Sequence, residues 1–281
     1  MDATEHDFVV LGDADVVGTD LTGTSPLSYD QVNSIRAWLN PTDYAAQSSE
    51  YKRHRHAYVP GTGKWKQESQ YQQWLERDHG ALWVKAIPGA GKSVIAAQLA
   101  SDLQKDQVPV LYFFFRQIIA SNRAPVSLVC DWMSQVLEYS PSLQWGLNSY
   151  LDKRRTLDSV AFDELWHLLT KALCNLPRVY CIADALDEMD QGNDRFIEQL
   201  VDLGQIKPAT VKVFMTSRPV PHIVKTLKQP MVLHVNLGQR LVEMDIAVYL
   251  DHRLAKTMWP GEIRENIREA LMSKSQASNT P

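Results

Sequence analysis

Cysteine is scarce and unpaired: Cys130, Cys174 and Cys181 are the only three in 281 residues. Their odd number, apolar settings and lack of ligand spacing exclude a disulfide scaffold and a cysteine-based metal site. They read as reduced core residues of an intracellular protein. Long hydrophobic runs are missing as well. The longest, Val110 to Phe115, is far too short to span a bilayer. The N-terminus is acidic without a continuous apolar core, so it does not read as a signal peptide, and there is no terminal lipidation motif. Charge of one sign is not in excess either. Twenty-nine basic and 33 acidic side chains leave a net charge of −4, which gives no drive toward nucleic acid or an anionic membrane. The eight histidines form no ligand cluster, and no internal repeat of fixed period is present. These absences lead to the expectation of a soluble, cytoplasmic protein with no membrane span and no nucleic-acid partner.

What is present is uneven. Asp2, Glu5, Asp7, Asp13, Asp15, Asp20 and Asp30 all precede the first basic residue, Arg36. Residues 1–27 therefore read as a disordered acidic tail, whose apolar patch Phe8 to Leu11 is alternatively a docking peptide. Residues 28–78 read as a helical lead-in and linker. A helix opened by Ser28 is stopped by Asn40-Pro41. The basic cluster Lys52 to His56 reads as a solvated helix face or loop rather than an interaction patch. Val59-Pro60-Gly61-Thr62-Gly63 is turn-rich, and a helical pattern resumes through Tyr71, Trp74 and Leu75.

From residue 79 to 238 the texture changes. Short apolar runs at Ala81–Ile87, Val110–Phe115, Val179–Ala183, Val211–Met215 and Met231–Val235 alternate with helical patterns near 92–105, 126–138, 159–174, 193–204 and 219–228. Buried strands alternating with helices predict an α/β domain, a mostly parallel sheet between helices. One tension is Lys85, a charge inside the first strand. Residues 239–272 read as a C-terminal helical extension and 273–281 as a disordered tail.

Three motifs carry chemistry. Ala86-Ile87-Pro88-Gly89-Ala90-Gly91-Lys92-Ser93 follows a strand and opens a helix, the setting of a phosphate loop. Gly89 and Gly91 let backbone N–H groups close around phosphate oxygens, with Pro88 and Ala90 completing the loop. The helix N-terminus points at the same anion, Lys92 supplies a point charge, and the Ser93 hydroxyl suits Mg²⁺. The usual pattern begins with Gly where this chain has Ala86; a positive φ there would cost about 1–2 kcal/mol. The second motif is a buried strand ending at Asp184, a candidate Mg²⁺ ligand at the sheet edge where the phosphate loop also lies. Asp187 and Glu188 follow as candidates to orient or deprotonate water, or else as acidic residues of a helix start. The third is Val211 to Pro219. Arg218 is a candidate γ-phosphate sensor and Thr216 or Ser217 a partner for the attacking water; alternatively Thr-Ser caps the next helix, with Pro219 in its first turn. Arg116 ends the strand Val110–Phe115 and could face the nucleotide, but it reads rather as an exposed loop arginine, as do Asn122 and Arg123; His222 reads as helix surface, and Trp132, Trp145 and Trp166 as core.

These motifs together resemble a known family. Gly61-Thr62-Gly63-Lys64-Trp65, Ile87 to Ser93, Asp184-Ala185-Leu186-Asp187-Glu188 and Thr216-Ser217-Arg218-Pro219 are similar to the NACHT-type branch of STAND NTPases. More narrowly, they resemble the nephrocystin-3-like N-terminal region of filamentous fungi. Arg240, Asp245-Ile246 and Tyr249-Leu250 match a weaker downstream signature. The resemblance implies a five-stranded P-loop core of the additional-strand type with Asp184 on a central strand. It also implies ATP rather than GTP, a signalling switch with slow hydrolysis, nucleotide-dependent self-association and signalling partners. Such proteins resemble fungal incompatibility receptors with C-terminal sensing repeats. The sequence stops at Pro281 without repeats, so the expectation is a fragment, a truncated product or an accessory form. The readings to be separated are this switch, a non-hydrolysing nucleotide-binding or interaction module, and a small-molecule phosphotransferase, for which no substrate lid is recognisable.

Overall fold

The computed structural model describes residues 25–278, with side chains through Ser273. Five strands, β1 (Gly80–Lys85), β2 (Val110–Phe114), β3 (Val179–Asp184), β4 (Val211–Ser217) and β5 (Val232–Asn236), form one parallel sheet in the order β2-β3-β4-β1-β5. β4 thus stands between the strand that leads into the phosphate loop and the strand that ends in Asp184. This is the additional-strand arrangement of a P-loop α/β fold.

The lead-in supplies α1 (Tyr29–Leu39), α2 (Glu50–Ala57) and α3 (Ser69–Glu76). The crossovers supply α4 (Lys92–Leu103), α5 (Pro125–Val136), α6 (Pro141–Asp152), α7 (Phe162–Cys174), α8 (Asp194–Leu203) and α9 (Pro221–Leu227). After the sheet come α10 (Gln239–Ala255) and α11 (Gly261–Ser278). Strand side chains alternate between two apolar layers, as a pleated strand requires. Trp83, Cys181, Ala183, Val213 and Met215 pack with α5, α7 and α8. Leu82, Val84, Ile182 and Phe214 pack with α3 and α4 on the other face. Both faces are covered, which is why the strands read as continuous apolar runs.

Local chemistry sets several boundaries. Ser28 caps α1 through a capping box with Gln31, and Asn40 ends it in the left-handed region at φ 47°. Pro221 rather than Pro219 occupies the first turn of α9. Three expectations need correction. Residues 273–278 continue α11 instead of lacking structure. Of residues 1–27, the described Ser25 and Leu27 are tied down: Trp145 Nε1 donates to the Ser25 carbonyl and Leu27 N–H to Gln144 Oε1. Residues 1–24, including Phe8 to Leu11, lie outside the described residues. Trp145 itself is 38% exposed, a surface side chain rather than core.

The strand charge that needs explaining is not Lys85, which ends β1 half-buried, its ammonium 5.4 Å from the Trp83 ring centre. It is Lys212, fully buried in β4. Its ammonium donates to the carbonyls of Leu75 and Arg77, each at 2.7 Å, at the C-terminus of α3, and lies 4.8 Å from the Trp74 ring centre. The helix dipole and the ring face both favour a cation there, yet burial still pulls the Lys212 pKa down to about 8. Lys212→Met is expected to cost about 1–3 kcal/mol at pH 7 by orphaning those carbonyls. Between about pH 8 and the ordinary lysine value of 10.5, the unfolded chain holds a proton that the native Lys212 has released. Wild-type stability therefore gains relative to the variant as pH rises through that window. Denaturant titrations of both proteins at pH 7 and pH 10 measure this; a constant difference would contradict the burial argument.

Candidate functional site

The loop from Ala86 to Gly91 joins β1 to α4 at the C-terminal edge of the sheet. Gly89 and Gly91 adopt φ of 77° and 81°, conformations that side chains rarely take. Gly91 is the N-cap of α4 and no side chain caps the helix start, so its first N–H groups remain turned toward the loop. Ala86 resolves the question raised by the missing glycine. It is absent from the positive-φ residues, and its N–H donates to the Ser217 carbonyl at 3.2 Å. Alanine therefore carries no backbone penalty at that position.

Lys92 folds back over the loop, its ammonium 3.0 Å from the carbonyl oxygens of Ala86 and Ile87. Burial lowers its pKa, against the pull of Asp187 and Asp184. Asp184 is 1% exposed, and burial raises its pKa to about 6. The hydroxyls of Ser93 and Thr216 hydrogen-bond its carboxyl, Thr216 Oγ1 at 2.6 Å from Oδ1. Lys92, Ser93 and Asp184 thus stand together at one sheet edge.

After Asp184 the chain turns through Ala185 in the left-handed region, φ 57°. The Ala185 N–H donates to Thr216 Oγ1 at 2.9 Å. This turn leads into a short 3₁₀ segment, Leu186–Glu188, that returns Asp187 and Glu188 to the edge. Their surroundings differ. Asp187, 3% exposed at its side chain, accepts from the Arg218 N–H at 2.7 Å and ion-pairs with Arg218 Nε. Glu188 is half-buried, with Oε2 accepting from the Gln117 N–H at 3.3 Å. Thr216 and Ser217 are wholly buried and already engaged, Ser217 Oγ accepting from Trp83 Nε1 at 2.8 Å. Both hydroxyls are taken up by protein partners, Thr216 fixing Asp184 and Ser217 fixing Trp83.

A cavity of about 570 Å³ lies against Pro88, Gly89, Lys92, Ser93, Asp187, Glu188 and Arg218. Its far wall holds two residues that the sequence reading placed on the solvated surface, His54 of α2 and Arg116 beyond β2. For Arg116 the alternative that the sequence offered, a residue facing the nucleotide from a strand end, is the one that matches its place on the cavity. His54 carried no such signal. Asn122 is buried rather than exposed, and its carbonyl accepts from the Arg116 N–H at 2.8 Å. A second cavity of about 290 Å³ continues from Gly89, Ala90 and Gly91 between Tyr58, Val59 and Trp65 on one side and Val242, Ile246 and Tyr249 of α10 on the other. Asp245 lies in this wall, Oδ1 accepting from the Gly63 N–H at 2.9 Å. The turn-rich stretch at 59–63 is therefore part of a pocket wall as well as a linker.

The vegetative incompatibility protein HET-E-1 of Podospora anserina is 25% identical over an alignment of 229 residues that covers 74% of this chain. The chain spans only 16% of that protein's length. Among solved structures, the Walker-type ATPase PABY2304 of Pyrococcus abyssi aligns with a TM-score of 0.46 at 14% identity, covering 74% of this chain and 62% of that one. The family model described as Nephrocystin 3, N-terminal matches residues 61–218, from the pocket turn through Arg218. Matched over more than half its length, the chain belongs to the nephrocystin 3 N-terminal family.

Proposed function

We propose that this chain is a Mg²⁺-dependent ATP-binding switch with slow hydrolysis. The observation that carries the reading is the convergence of Lys92 and Ser93 on one cavity that Glu188 and Arg218 also line, with the buried Asp184 held against Ser93 beside it. The loop N–H groups and Lys92 bind the phosphates. One hydroxyl and one carboxylate fit a cation that prefers to keep waters and phosphate oxygens as its other ligands, as Mg²⁺ does. Bound there, Mg²⁺ would neutralise charge on the phosphates. Asp187 positions Arg218 for the terminal phosphate, which leaves Glu188 to orient the attacking water. The apolar cavity takes the base. The preference for adenine over guanine rests on the family membership, since the half-buried Asp245 accepts from the Gly63 N–H through Oδ1 alone. Slow turnover, nucleotide-dependent self-association and signalling partners are supported by the family membership and by the likeness to an incompatibility protein.

Thermal denaturation with and without nucleotide tests the binding. Ligand at 100 times Kd adds about 2.7 kcal/mol, or roughly 5–10 °C for a chain of this size. The expected order is Mg-ATP above Mg-GTP, with a smaller shift for ATP in chelator. Asp184→Asn, which keeps an oxygen for Thr216, is expected to lose the Mg²⁺ dependence. No shift with any nucleotide would reject the reading. Molecular mass compared between ADP and a non-hydrolysable ATP analogue tests the self-association.

A further inference from the structure

Part of the far wall of the phosphate cavity, His54 of α2, comes from a segment that precedes the family match. α2 is anchored there by Tyr51, stacked on Tyr112 with ring centres 4.6 Å apart, and by Arg55, which donates to Gln98 of α4 at 2.6 Å. From this helix His54 reaches the cavity, its ring against Phe114. Glu50, one turn earlier and 11% exposed at its side chain, gathers three basic groups on a single oxygen. His54 Nε2 lies at 3.1 Å, Arg116 Nη1 at 3.3 Å, and Arg53 Nη2 completes the set. One carboxylate cannot balance two guanidinium groups. Arg116 is the less satisfied of the two: its Nε is buried without a hydrogen-bond partner, and it faces the cavity that Lys92 and Arg218 also line. A buried donor left unpaired is costly, and a guanidinium fork matches two oxygens of one phosphate.

We propose that Arg116, assisted by His54, takes the terminal phosphate of a bound triphosphate from the side opposite Arg218, and that Glu50 holds Arg116 until that phosphate is present. The inference rests on the nucleotide reading above and adds a triphosphate-selecting contact supplied across two elements. It also ties α2 to the nucleotide state: when Arg116 turns to phosphate, Glu50 keeps only Arg53 and His54.

The test is calorimetric titration of the full chain with Mg-ADP and with a non-hydrolysable Mg-ATP analogue. Arg116→Ala is expected to weaken the triphosphate about 10- to 100-fold and to leave ADP within about threefold. Because that change also strips Glu50 of a partner, Arg116→Lys is measured beside it. Lysine keeps the charge without the fork, and the same selective loss is expected at smaller size. Glu50→Gln should raise the preference for triphosphate over diphosphate. Equal loss of both nucleotides in the two Arg116 variants, or no loss in either, overturns the proposal while leaving the nucleotide site standing. Failure of the unaltered chain to bind either nucleotide overturns both.

Discussion

Lys92→Ala is expected to lower Mg-ATP affinity at least about 100-fold while leaving the nucleotide-free protein almost as stable as before. The asymmetry follows from what Lys92 touches. Among the described residues its ammonium donates only to the Ala86 and Ile87 carbonyls of the loop, and burial lowers its pKa. Charge-assisted contacts to phosphate contribute about 1.5–3 kcal/mol each, and one ammonium can serve two phosphates. Losing two such contacts exceeds the tenfold step of 1.4 kcal/mol several times over. Titration with a fluorescent or calorimetric readout, alongside a denaturation curve, measures both halves. An ATP affinity that survives the substitution would remove the phosphate-loop mechanism. A collapse of stability would instead mean that Lys92 holds the loop.

Glu188→Gln should keep nucleotide affinity within about threefold and reduce turnover by roughly 10²- to 10⁴-fold, the range of general acid–base contributions. Glutamine preserves size and the acceptor used by the Gln117 N–H, but cannot take a proton from water. Asp187→Asn makes the informative contrast. Asp187 holds Arg218 through two contacts, so its loss should weaken triphosphate binding as well as turnover. Single-turnover hydrolysis of Mg-ATP by the three proteins separates the roles. Normal hydrolysis by Glu188→Gln would move water activation to another group. A stability gain with Mg-ATP but no turnover in the unaltered chain would favour a non-hydrolysing nucleotide-binding module.

Much of the fold is legible in the sequence because it is written in short-range pattern. The five strands are continuous apolar runs, since helices cover both sheet faces, and each crossover is long enough for a helix. Ser28, Asn40 and the loop glycines mark their boundaries by capping and left-handed geometry, both local properties. The position of Asp184 at a strand end was legible for the same reason. The roles drawn for Thr216 and Ser217 were not. A hydroxyl at a strand end looks available in sequence, but here a 2.6 Å bond to Asp184 and a bond from Trp83 engage them. Lys212 was overlooked in favour of Lys85 because a buried lysine is recognisable only once the carbonyls that receive it, Leu75 and Arg77, are known.

The amino-acid order alone determined where strands, turns and helix starts fall, because backbone preference and apolar periodicity act within a few residues. It thereby set the glycine conformations of the phosphate loop and the carboxylate at the end of β3. The insertion of β4 between β1 and β3 was decided only by the packed sheet, since strand order depends on which apolar faces bury each other. With it came the pairing of Asp187 with Arg218, the meeting of α10 with the 58–65 turn around a cavity, and the approach of Glu50, His54 and Arg116. Those contacts join residues far apart in the chain, and only long-range burial and charge pairing could select them.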